Sequence, residues 1–204
     1  MEPSLRRNLR LASSLGILAL AALPEQVLAH TSPDLAGGFK AGIMHPLSGP
    51  DHLLAMVAVG LWGAILGRPL LVLLPTIFPA VMALGALAAM AGMARPPIEL
   101  GIALSVLVLG MGIAARWRPP VWLASVVVAS FAVCHGFAHG LEIPSLMDPV
   151  AYSTGFMLAT GSLHVAGIGL GTLDTSPNGP RIIRVLGAGI AASGVYFLYQ
   201  VLTQ

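Results

Sequence analysis

The sequence predicts an all-α protein: a polytopic membrane helix bundle of about six transmembrane helices after a cleaved N-terminal signal peptide. Of its 204 residues, 56% are hydrophobic and only 9% charged. A soluble domain carries about 25% charged residues, so this chain cannot cover a water-facing surface. Its apolar residues fall into runs near the roughly 20 needed to cross about 30 Å of hydrocarbon. Short connections of Arg, Pro, Gly and Asp separate those runs.

The signal peptide is read over residues 1–29. Arg6, Arg7 and Arg10 form a positive start, and Leu11 to Leu23 an apolar stretch too short to span comfortably. Pro24 breaks the helix, and Val27-Leu28-Ala29 offers a cleavage site that would leave His30 as the mature N-terminus. Residues 30–204 then form one six-helix transmembrane domain with no separate soluble domain.

The expected spans run over residues 39–65, 69–93, 98–115, 120–141, 150–173 and 182–202. They are joined by Gly67-Arg68-Pro69, Arg95-Pro96-Pro97, Arg116 to Pro120, Asp148-Pro149 and Asp174 to Pro180. With the mature N-terminus outside, Arg68, Arg116, Arg118, Arg181 and Arg184 fall on the inner side. Only Lys40 and Arg95 are cations on the outer side. That distribution obeys the positive-inside rule and agrees with export of the N-terminus. Small residues four apart, such as Gly155 and Ala159 or Gly167 and Gly171, are read as helix-packing faces. A homo-oligomer is compatible with this reading.

The formal net charge is +2 and no basic cluster appears, so no nucleic-acid partner is expected. One cysteine, Cys134, excludes an intrachain disulfide and a Cys-based zinc knuckle. No phosphate-binding loop is present.

Two runs carry the chemistry. In the first span, His45, Asp51 and His52 stand in an apolar stretch punctuated by Pro46, Gly49 and Pro50. Ionisable groups at membrane depth are expensive and mark functional sites. The prolines predict a broken helix that brings the three together around one point, because irregular backbone in a membrane lines a cavity. A kinked helix whose histidines only hydrogen-bond their neighbours is the alternative.

In the fourth span, His135 and His139 are four apart and Glu142 follows three later, one stripe of a helix. Imidazoles with carboxylates suit Zn, Ni, Co or Cu(II) rather than Mg or Ca. The first span is entered from the outer side and the fourth leaves toward it, so both runs lie at similar depth, which favours one shared metal site. Lone His164 in the fifth span reads equally as a second station on a pathway or as a packed, hydrogen-bonded group. His30, as a mature N-terminus, would add an α-amine and an imidazole as a chelate.

The chain resembles the HupE/UreJ family of bacterial membrane proteins. The resemblance rests on His45-Pro46-Leu47-Ser48-Gly49-Pro50-Asp51-His52-Leu53-Leu54-Ala55-Met56, on His135-Gly136-Phe137-Ala138-His139-Gly140-Leu141-Glu142 and on the Ala29-His30-Thr31 junction. It implies a secondary nickel or cobalt permease of the inner membrane, functionally linked to hydrogenase or urease maturation.

The expected function is therefore import of Ni2+, or Co2+, by a multi-pass inner-membrane protein. The ion is cargo rather than a tightly bound cofactor, and the chain is not an enzyme. An intramembrane zinc-dependent hydrolase built on the same His/carboxylate cluster is the alternative. Haem ligation is disfavoured, because His135 and His139 share one helix at nearly one depth.

Overall fold

The computed structural model describes residues 35–142 and 148–203, and every regular element in them is helical. Residues 1–34, with the expected signal peptide and His30, lie outside the described residues. The elements are α1 (Leu35–Ser48), α2 (Pro50–Leu66), α3 (Leu70–Met90), α4 (Ile98–Ala114), α5 (Val121–Glu142), α6 (Pro149–Gly171), a 3-10 turn (Thr172–Thr175) and α7 (Gly179–Thr203).

The break expected in the first span is where the prolines put it. Gly49, in extended conformation, separates α1 from α2, and the two helices bend by 79°. Pro50 occupies the first turn of α2, where its missing N–H costs nothing and its fixed φ suits a helix start. The amide of Gly49 and the Ser48 hydroxyl both donate to the His45 carbonyl, so the end of α1 is not left unsatisfied.

The six expected spans resolve differently. α3, α5, α6 with its 3-10 extension, and α7 are each long and apolar enough to cross a membrane. α1 with α2 makes a fifth if the bent pair is one span. α4 is apolar but has 17 residues, about 25 Å of helix, short of the ~30 Å core. Length and composition therefore support four or five spans. The chain is a multi-pass membrane protein, with large apolar side chains such as Val72, Leu84, Val126, Val165 and Val185 exposed around the bundle.

α2 is the axis of the fold. Every residue from His52 to Gly63 is buried, as expected of a helix apolar on all faces. α6 packs along both α1 and α2, α3 pairs with α5, and α4 pairs with α7. Lipid offers no hydrophobic drive between helices, so these pairs rely on close backbone approach. A Cβ on Gly136 would land on the Met82 carbonyl, and one on Gly85 would lie 2.7 Å from the Val133 carbonyl. Gly60 and Gly167 face α6 and α2 in the same reciprocal way, and Gly42 and Gly155 face α6 and α1. The small-residue faces read from the sequence are packing faces here.

At the opposite end of α2 from His52, Trp62 stacks on Trp117 with centroids 5.7 Å apart. Its indole N–H donates to the Trp117 carbonyl at 3.2 Å. Arg116 beside it holds φ 54° in the left-handed cap position that follows α4. Both of its guanidinium NH2 groups donate to Asp174, Nη2 to Oδ2 at 2.9 Å, tying α4 to the 3-10 turn. That pairing raises the guanidinium pKa still further above its ordinary value.

Candidate metal centre

Three histidines from two helices converge in the interior. His52 near the start of α2 meets His135 and His139 on α5, and one potential ligand atom from each lies within 4.8 Å of the others. His52 is 8% exposed, His135 0% and His139 4%. The i, i+4 spacing on α5 puts His135 and His139 on one side of that helix, and Gly136 and Gly140 let α3 close against it.

Hydrogen-bond partners favour one tautomer for two of the three rings. Asp51 Oδ1 lies 2.9 Å from His52 Nδ1 and also accepts the backbone N–H of His52 at 2.8 Å. A carboxylate can only accept, so Nδ1 carries the proton and Nε2 the lone pair. The Ser105 hydroxyl spends its one proton on the Ile102 carbonyl at 2.7 Å. With that proton so placed, its 3.0 Å contact with His135 Nε2 is an acceptance, which leaves the lone pair on His135 Nδ1. His52 Nε2 and His135 Nδ1 are buried and have no hydrogen-bond partner among the described residues.

This arrangement suits a metal ligand: a ring that gives its second N–H to a carboxylate or hydroxyl and turns its lone pair into a buried site. Asp51 thus touches His52 rather than standing apart as an independent donor. His45, half-buried at the end of α1, lies with its ring 4.9 Å from His139 and 6.0 Å from His52. The break after Ser48 is what folds it back over the trio. Phe156 and Tyr152 of α6 close the side around His45, Phe156 also lying 4.1 Å from the His139 ring. An apolar cavity of about 210 Å³ between α3 and α6 reaches His139 and is lined in part by Met82, Met90 and Met157.

The other expected residues distribute as follows. Glu142 is the last residue of α5, and its side chain lies outside the described residues, as does His30. Cys134, next to His135, is half-buried against Gly101 and does not join the trio. His164 on α6 is 2% exposed and sits beyond Phe78, whose ring lies 5.4 Å from His135 and 5.6 Å from His164. The sequence reading missed Ser105 and Phe78. A buried serine in apolar α4 was a weak signal; Phe78 among many apolar residues gave none.

The profile of the HupE / UreJ protein family matches residues 18–197. Protein HupE of Rhizobium leguminosarum bv. viciae is 41% identical over 181 residues, 89% of this chain and 94% of that protein. No solved structure matches the chain. Those matches extend over both histidine runs and the helices that carry them, so the chain belongs to the HupE/UreJ family.

Proposed function

We propose that this protein carries a divalent transition metal, Ni2+ or Co2+, across the bacterial inner membrane, with His52, His135 and His139 as its binding centre. The observation that carries the reading is a pair of buried lone-pair nitrogens, His52 Nε2 and His135 Nδ1, with no hydrogen-bond partner among the described residues and with their rings held by Asp51 and Ser105. Imidazole donors select late first-row metals over Mg2+ and Ca2+. Neutral ligands leave the divalent charge uncompensated in a low dielectric. The Asp51 carboxylate, one bond network away through His52, offsets part of it and makes that imidazole a better donor.

In this reading the mature N-terminus is periplasmic, and His45 is the more accessible ring that passes the ion to the trio. His30 and Glu142, expected from the sequence as further donors, are proposed to act on the same cargo. The imported metal would supply hydrogenase or urease maturation. The break at Gly49 serves the site as broken helices do in transporters, where irregular backbone lines the cargo cavity.

A zinc hydrolase would need a base free to take a proton from metal-bound water. Asp51 Oδ1 already takes two N–H groups of His52, which leaves only its Oδ2 for that role.

The test is 63Ni or 57Co accumulation in cells expressing the wild type, His52→Ala or His139→Ala, with membrane protein levels matched. Accumulation is expected to fall to background in both variants. Wild-type accumulation by both would overturn the proposal.

A further inference from the structure

Behind the trio lies a fourth buried imidazole, with the same signature as His52 and His135. His164 Nδ1 lies 2.8 Å from the Met56 carbonyl. A carbonyl only accepts, so Nδ1 carries the proton and the lone pair sits on Nε2. That nitrogen is buried and has no partner among the described residues. One helical turn earlier on the same face of α6, Thr160 is fully buried, and its hydroxyl also lacks a partner among the described residues.

Buried polar groups are normally hydrogen-bonded, and two adjacent orphans need an explanation. Packing alone does not supply one: the Met56 bond would be satisfied with Nε2 replaced by carbon. Met56 is four residues past His52, so His164 docks one turn, about 6 Å, further along α2. The Phe78 ring lies against both His135 and His164.

We propose that His164 Nε2 and the Thr160 hydroxyl form a second, inner station for the transported divalent metal, separated from the outer trio by the Phe78 ring. The inference rests on the transport reading above. An ion leaving His135 passes Phe78 when that ring rotates, and is taken by one imidazole and one neutral oxygen. So sparse a donor set binds more weakly than three imidazoles and releases its ion more readily.

The test uses His164→Asn, in which the shorter amide keeps a donor near the Nδ1 position for Met56 but has nothing at Nε2. Purified full-length protein is titrated with Co2+ and followed by its visible d–d absorption, and cellular 57Co uptake is measured alongside. H164N is expected to keep the Co2+ absorption of the outer trio while uptake falls at least tenfold. Thr160→Val, which preserves shape, is expected to lower uptake severalfold. If His164 only ties α6 to α2, H164N restores wild-type uptake, and that result overturns the proposal. Should H164N be absent from the membrane, wild-type uptake by T160V overturns it instead. Failure of the wild type itself to bind Co2+ and accumulate it would refute the transport reading, a different outcome from normal uptake by H164N.

Discussion

Ser105 accepts the Nε2 proton of His135 while donating its own to the Ile102 carbonyl, so a hydroxyl on α4 decides which nitrogen of an α5 histidine faces the metal centre. Asp51 does the same for His52 from the neighbouring position in sequence. Neither residue needs to touch an ion to govern how it is held.

Ser105→Ala and Asp51→Asn should therefore weaken metal binding without abolishing the fold. Loss of such supporting partners costs about 10–100-fold in affinity. Asp51→Asn removes the negative charge as well, so it should fall at the larger end of that range. Co2+ titration of the purified variants reads both effects. Wild-type affinity in Ser105→Ala would show that the His135 tautomer is fixed by something else.

Glycine substitutions should separate close helix packing from mere helix content. Gly136→Ala drives a Cβ into the Met82 carbonyl, backbone that cannot swing aside. The expected cost is about 1–3 kcal/mol of overpacking, seen as a lower melting temperature in detergent and weaker uptake, since His135 and His139 flank the contact. Gly161→Ala meets nothing within 4 Å. It should be neutral or stabilise by about 0.5–1 kcal/mol through lost chain entropy. Equal melting temperatures for the two variants would contradict the α3–α5 contact described above.

Arg116 combines a left-handed φ of 54° with two hydrogen bonds to Asp174. Arg116→Gly loses the ion pair but relieves the backbone, whereas Arg116→Ala loses the pair and keeps the strain. Glycine should be the milder change by about 1 kcal/mol. Melting the two variants side by side checks it; an alanine variant as stable as the glycine one would mean that the cap relaxes freely.

The sequence made the histidine runs legible because ionisable groups stand out against apolar spans, and because i, i+4 spacing on α5 converts directly into a shared face. The break between α1 and α2 was legible from Pro46, Gly49 and Pro50 for a similar local reason. Ser105 and Phe78 were not, since each acts across a helix–helix contact that no short-range pattern encodes. Asp51 was expected beside the histidines, but its bond to the adjacent ring depends on the first turn of α2. The six expected spans are supported only as far as four or five by helix length and composition, because hydropathy sees neither the 79° bend nor the early end of α4.

The fixed tautomers have an electrical consequence. An ion that meets His52 Nε2 and His135 Nδ1 displaces no proton from either ring, because those protons already sit toward Asp51 and Ser105. Occupancy therefore adds both positive charges of the ion to these two rings, with no proton lost from them in exchange. Each elementary charge moved through 100 mV is worth about 2.3 kcal/mol, so a divalent ion carried across the whole potential would gain twice that. In the proposed transport reading, membrane voltage is then available as a driving force for the ion.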